Sequence, residues 1–295
     1  MNASMTPGVV DTGHRTEVEP TGRPLPLWYS LLLAGVLVAA TAYGLLVEGA
    51  YRAPAGVRPS LPATLRGQDV VTLLAAAALV WGAVRARAGS LAGHIVWLAV
   101  CLYAAYTYLM YVVTPYNDAL LLYIAVIGLA TYGLLNGLFR LRADAVATAF
   151  ADVPRRGVAW FLLVIASLFT ALWLVDILAV WPGGIPDSLF IDDIPSIVHV
   201  LDLGIALPLV ALTGVLLLRG HPVAPVLAAL VLVKTLTLGL ALLSMNAFIA
   251  ASGGAIDPTE PFLWVAIVVL TLTWLVRGAR RMQPAPRPWL RKSVW

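Results

Sequence analysis

Charge is what this sequence has least of. Asp, Glu, Lys and Arg together make up 12% of it, against 61% hydrophobic residues. A soluble domain is about one quarter charged. So apolar a chain cannot cover itself with polar surface, which excludes a soluble globular protein. Lysine is nearly missing: of 19 basic residues 17 are Arg, leaving Lys234 and Lys292. The net charge of +4 is no nucleic-acid signal, because the basic residues sit in short loops and at the C-terminus, where orientation in a membrane accounts for them. No nucleic-acid partner is expected. Cysteine occurs once, as Cys101, so an intramolecular disulfide and a Cys-built metal site are excluded. H-E-x-x-H, P-loop, G-x-S-x-G and dinucleotide fingerprints are absent. No metal and no cofactor is expected. Residues 1–25 lack the apolar core of a signal peptide. They mix charge, Pro, Gly and Thr and read as a disordered tail.

Long apolar runs are what the chain does have. A spanning helix needs about 20 mostly apolar residues. Eight runs meet this: 26–48, 69–86, 91–113, 119–139, 157–181, 196–218, 222–247 and 260–278. The second is short and should form a helical hairpin with the third across the Arg85–Ser90 turn. The lipid bilayer is the expected partner. With the N-terminus inside, fifteen basic residues fall on the inner side and only Arg52, Arg58 and Arg66 on the outer. That asymmetry predicts both termini on the cytoplasmic side. Of the two long outer loops, one carries those three arginines and the other Asp187, Asp192 and Asp193. They either pair or stay independently solvated. The basic segment 282–295, with two Trp residues, is expected to rest on the inner leaflet.

The chain reads as duplicated. Aligning Asp69 with Asp202 brings Ala78-Leu79 onto Ala211-Leu212, and Gly82 and Arg85 near Gly214 and Arg219. Upstream, Val47-Glu48 matches Val175-Asp176. The expected fold is therefore all-α, with eight transmembrane helices in two parallel four-helix repeats. The first repeat covers 26–142 and the second 157–281, joined by an inner linker over 143–156.

Ionisable groups inside spans are costly and are functional suspects by default. The stretch from Ile191 to Arg219 holds the strongest of them. Asp202 is expected about two turns into a helix starting near Pro195, too deep to be its cap. His199 shares its face three residues earlier. The pair suits a shared proton, a bound cation or a polar substrate; otherwise it locks helix packing. Asp69 is expected to open its helix, where Asp is a favoured cap; its match with Asp202 argues for more. Glu48 and Asp176 lie near the outer ends of the first and fifth spans. Glu48, Asp69, Asp176 and Asp202 are expected to converge on one outward cavity. Lys234, mid-span, needs an acid on a neighbouring span, with Asp176 and Asp202 as candidates. Tyr103 and Tyr106 lie deep enough to offer hydroxyls to that cavity, whereas Tyr108 and Tyr111 suit an interfacial aromatic belt.

Several phrases carry a resemblance. They are Gln68-Asp69, GSLAGHIVW from Gly89 to Trp97, the tyrosines at 106, 108 and 111, Asn117, and LDLGIALPLVAL from Leu201. Over most of residues 60–245 the chain resembles a group of bacterial polytopic membrane proteins with no assigned activity. The resemblance implies a multi-pass protein of a bacterial cytoplasmic membrane and no function.

The residues themselves favour a transporter-like protein over an enzyme. It would handle a small polar or cationic solute, or a proton, at an outward acidic and histidine cluster. A membrane-embedded enzyme acting on a lipid or isoprenoid, with carboxylates as acid and base, is the first alternative. A sensor or assembly partner without chemistry is the second.

Overall fold

A computed structural model describes residues 22–51, 60–184, 186, 190–191, 194–195 and 197–291. The disordered-tail expectation for the N-terminus falls almost wholly outside these residues. So does the pairing of the two outer loops, through Arg52, Arg58, Asp187, Asp192 and Asp193.

The fold is all-helical, and among the described residues eight helical segments are long and apolar enough to cross a membrane. This is a multi-pass membrane protein. In order, α1 spans Leu27–Leu46, α2 Ser60–Arg87, α3 Leu91–Tyr111, α4 Leu120–Phe139, α5 Ala143–Ala149 and α6 Arg156–Ala179. The sixth span is composite. A single turn, α7 (Val198–Leu201), passes through a π-helical turn at Asp202–Ala206 into α8 (Leu207–Leu218). Then come α9 (Ala224–Ala251) and α10 (Thr259–Arg281). A two-residue antiparallel pairing of Phe190–Ile191 with Ile194–Pro195 precedes α7.

Three expectations about elements need correction. The second span is not short. Its helix starts at Ser60 and contains Leu61, Pro62 and Arg66, because Pro is tolerated in a first turn, where its missing N–H has no helical partner anyway. The sixth span starts at Val198 rather than Pro195 and is not one regular helix. Pro208 has no N–H to return to Gly204, and the chain widens just before it: the N–H of Leu207 bonds the carbonyl of Asp202, five residues back. The inner linker is not simply a linker, since Ala143–Ala149 forms α5 within it.

Helices α1, α2, α3 and α4 pack in a closed ring, each against the next and α4 back against α1. Helix α9 lies across α2 and α3, with α10 on its other side. Helix α6 pairs with α8, and α8 reaches the rest through α9. The larger core joins the ring, α5 and α9; the smaller joins α6, α8 and α9. Several threonine hydroxyls inside the spans are satisfied by their own helix. Thr41 donates to Leu37 at 3.0 Å, Thr72 to Gln68 at 3.0 Å and Thr213 to Leu209 at 2.7 Å. In an apolar medium an unpaired hydroxyl is costly, and the i−4 carbonyl is the nearest acceptor.

The helix ends on the side of the α2–α3 turn are rich in arginine: Arg85, Arg87, Arg140, Arg142, Arg155, Arg156, Arg219, Arg277, Arg280 and Arg281. Among the described residues the opposite end holds only Arg66. At the basic end the C-terminal segment does not lie free on a leaflet. It straps back across the helices. The carbonyl of Trp289 accepts from the N–H of Arg142 at 3.1 Å, and the N–H of Arg291 donates to Arg140 at 2.8 Å. The Arg140 guanidinium reaches the carbonyls of Arg291 at 3.1 Å and Arg23 at 2.8 Å. Trp289 and Leu290 are buried. Their apolar area, read from sequence as an interfacial anchor, is spent on the protein instead.

Candidate functional site

The suspect residues form two separate clusters rather than one. Both lie toward the arginine-poor end and share α3.

The first surrounds Asp69. Because α2 begins at Ser60, Asp69 lies nine residues inside it and caps nothing. It is wholly buried, at 0% exposure. A buried carboxylate needs donors, and two tyrosines supply them. Tyr51 donates to Oδ2 at 2.6 Å and Tyr111 to Oδ1 at 3.0 Å. Tyr51 belongs to the bend after α1, and Tyr111 ends α3. Gly44 lets them meet, since a Cβ there would lie 2.0 Å from the Tyr51 hydroxyl and 2.2 Å from Asp69 Oδ2. Around the carboxylate Tyr108 stacks on Tyr111 at 5.0 Å and packs at a tilt against Tyr123 at 5.5 Å between centroids. Tyr108 and Tyr111 are therefore buried core, not the expected interfacial belt. One turn deeper, the hydroxyl of Tyr103 accepts from Gln68 Nε2 at 2.5 Å and shares a hydrogen bond with Thr72 at 2.7 Å. Tyr103 thus ties α3 to α2.

The second cluster surrounds Asp202, the first residue of the π-helical turn. Tyr106 donates to Oδ1 at 2.5 Å and Trp173 Nε1 to Oδ2 at 3.1 Å. Asp202 is only partly buried. The Nζ of Lys234 lies over the Tyr106 ring, 3.8 Å from its centroid. Sequence reasoning expects an acid as the direct partner of Lys234. The structure instead puts the π-face of Tyr106 against the ammonium and the carboxylate on that ring's hydroxyl. Such a cation–π contact is worth about 2 kcal/mol when desolvated. On the other side, the Trp173 ring packs at a tilt against His199 at 4.2 Å, and His199 Nε2 lies 3.8 Å from Asp176 Oδ2. Four spans thus bring Lys234, Tyr106, Asp202, Trp173, His199 and Asp176 into one continuous chain of contacts.

Of the expected site residues, Asp202, His199, Asp176, Lys234 and Tyr106 come together. Asp69 and Tyr103 sit in the other cluster. Glu48 is exposed in the bend after α1, outside both. Sequence reasoning missed Tyr51, Tyr111, Gln68, Thr72 and Trp173 as partners. Trp173 carried a usable signal, since it precedes Asp176 by three residues and so shares its face. Gln68 and Thr72 flank Asp69 at helical spacing. Tyr51 carried no signal, because its contact depends on how the bend after α1 folds back.

Among the described residues no group of three or more His, Cys, Asp or Glu side chains is arranged to hold a metal. The second cluster gathers groups of both charges around one partly buried acid. It offers a carboxylate with two neutral donors, a competing ammonium and an imidazole–carboxylate pair. No protein-family model matches the chain, and no curated protein or solved structure matches it either.

Proposed function

We propose that this chain is a transporter-like protein of a bacterial cytoplasmic membrane, with both termini inside, which moves a proton or small cation through the Asp202 cluster. One observation carries the reading: Asp202 opens a π-helical turn one turn into a span and accepts from two different helices while Lys234 waits one ring away. π-turns inside helices occur frequently at functional sites, and interrupted spans line the binding sites of many transporters.

In this reading Asp202 is the group that loads. As a carboxylate it holds Tyr106 and Trp173 and attracts Lys234. Once it takes a proton or cation, that attraction falls and the ammonium can shift. His199 beside Asp176 extends the polar chain on the adjoining side of Trp173. Trp173 and Asp202 belong to the α6–α8 pair, Tyr106 and Lys234 to α3 and α9. Loading therefore changes how firmly one packing unit grips the other, which is what alternation between two states requires.

The reading includes two parallel four-helix repeats. Support comes from the packing order, in which α6, α8, α9 and α10 follow one another as α1 to α4 do. It also comes from the equivalent treatment of the aligned acids, each accepting from two aromatic side chains. The inside-termini assignment rests on the arginine asymmetry. Membership in the bacterial polytopic group is part of the same proposal.

The test is flux. The purified protein would be reconstituted into vesicles holding a pH-sensitive dye, under an imposed pH gradient and potential. The expected result is proton or cation movement that Asp202→Asn abolishes and Asp69→Asn leaves in place. Wild-type vesicles no leakier than empty ones to protons, Na⁺ and K⁺ would overturn the proposal, as would an Asp202→Asn variant as fast as wild type.

A further inference from the structure

At the basic end, away from both clusters, the strap and the start of α3 enclose a groove of about 370 Å³. One wall is the α2–α3 turn, Gly89 and Ser90, with Leu91 and Ala92 of α3. The other is the end of α10 with the strap, from Ala279 through Gln283 to Arg287. Gly89 has φ +91°, and a Cβ there would strike the Arg287 guanidinium. The turn is thus shaped to take that side chain. Arg287 spends one nitrogen on the carbonyl of Ala88 at 3.1 Å. A guanidinium carries five N–H donors in a planar fork suited to phosphate. Arg85 and Arg87 end α2, and Arg280 and Arg281 end α10. Gln283 at the groove edge is held by Asp152 at 2.8 Å, a carboxylate outnumbered by these arginines.

The groove also has an apolar approach. Ala279 lies on one face of α10 with Val276, Leu272, Val269 and Val265, at steps of three and four residues. Those four are all exposed. The stripe runs from the groove toward the far end of the span. Phosphate-binding chemistry at the level where α3 begins and α10 loses its apolar character, joined to an apolar track at right angles to the membrane plane, fits one occupant. We infer that this groove binds the phosphate headgroup of an anionic phospholipid, with an acyl chain lying along the α10 stripe.

The experiment uses the full chain in neutral detergent, read by native mass spectrometry and by melting temperature. The probes are phosphatidylglycerol, phosphatidylcholine and inorganic phosphate. Phosphatidylglycerol should stay bound and raise the melting temperature, with phosphatidylcholine and phosphate well behind. Arg287→Gln should weaken phosphatidylglycerol binding roughly fivefold, the equivalent of about 1 kcal/mol per base near anionic lipid. Because Arg287 also holds the strap, a second variant separates binding from folding. Ala92→Trp fills an exposed part of the groove without touching the Arg287 bond. It should melt like wild type without lipid and lose the phosphatidylglycerol effect. Equal binding of phosphatidylcholine, undiminished binding by Ala92→Trp, or full stabilisation by phosphate alone would each overturn the inference, the last by making the occupant a soluble anion.

Discussion

Tyr106 donates its hydroxyl to Asp202 at 2.5 Å while its ring carries the ammonium of Lys234 at 3.8 Å. One side chain thus stands between the negative and positive groups of the second cluster, touching each through a different part of itself. The two contacts separate by mutation. Tyr106→Phe keeps the ring and removes the donor. A hydrogen bond to a charged group is worth about 1.5–3 kcal/mol, and thermal or denaturant unfolding in detergent should show a loss in that range. Tyr106→Leu removes the ring as well and should cost more. Equal losses in the two variants would mean that the ammonium gains nothing from the ring.

Asp69 makes the opposite case, a carboxylate sealed from any path. Asp69→Ala leaves the hydroxyls of Tyr51 and Tyr111 buried without their acceptor, at about 1–3 kcal/mol for each group. Asp69→Asn keeps one oxygen and should be milder. Tyr51→Phe, which removes one donor only, should fall between them. The order Ala worst, Asn mildest, read from unfolding midpoints, is the expected outcome. An Asn variant less stable than Ala would show that the negative charge itself matters, through something other than these hydroxyls.

Gly44→Ala tests the same cage from the backbone side. The new methyl would land 2.0 Å from the Tyr51 hydroxyl and 2.2 Å from Asp69 Oδ2, so one of them must move. Overpacking of this kind costs about 1–3 kcal/mol. Gly35→Ala on the same helix meets nothing within 4 Å. It should be neutral or slightly stabilising, since Ala is the better helix former by about 1 kcal/mol.

How far could the sequence be read? The eight spans follow from apolar length alone, because only a helix satisfies its own backbone in lipid. The Asp202–His199 face follows from helical spacing. What escaped depends on contacts between elements far apart in the chain. Nothing in the spacing of Tyr106 and Asp202 says that α3 and the π-turn meet. Asp69 was misread as a cap because a Pro and an Arg upstream looked like loop, whereas both fit the first turns of a longer helix. The docked strap was hidden by its composition: basic residues with Trp read equally well as lipid anchors and as protein packing.

Outside the spans, Arg142 donates to Asp144 at 2.9 Å across the start of α5. That hydrogen bond holds the Asp144 carboxyl below its usual range. A folded value below the unfolded one contributes stability that is present above the unfolded pKa, about 3.9. It is lost as pH falls through the folded value. Arg142→Gln should bring the Asp144 titration back up, followed by NMR of the carboxyl carbon. The melting temperature at pH 7 should barely move, because Asp144 is exposed and water screens the pair. The strap should also survive this change, since it is held by the backbone N–H of Arg142 rather than its guanidinium.

Trp289 decides whether the strap is part of the fold. Its ring packs against His94 at 5.0 Å, and His94 in turn stacks on Trp97 at 5.8 Å. Trp97 donates from Nε1 to Ser30 of α1 at 2.9 Å. The strap therefore closes a stack that reaches from the C-terminal segment through α3 to α1. Removing a buried Trp side chain costs about 3–5 kcal/mol in a packed core. Trp289→Ala should lower the unfolding midpoint by an amount in that range. It should also raise hydrogen exchange at Arg142 and Arg291, whose N–H groups hold the strap. A segment that merely rested on lipid would behave differently. The midpoint would stay put in detergent, and exchange at those two amides would be fast already in wild type. Melting and exchange measured on the same two proteins separate the cases, because only a docked strap couples one side chain's removal to backbone protection several residues away.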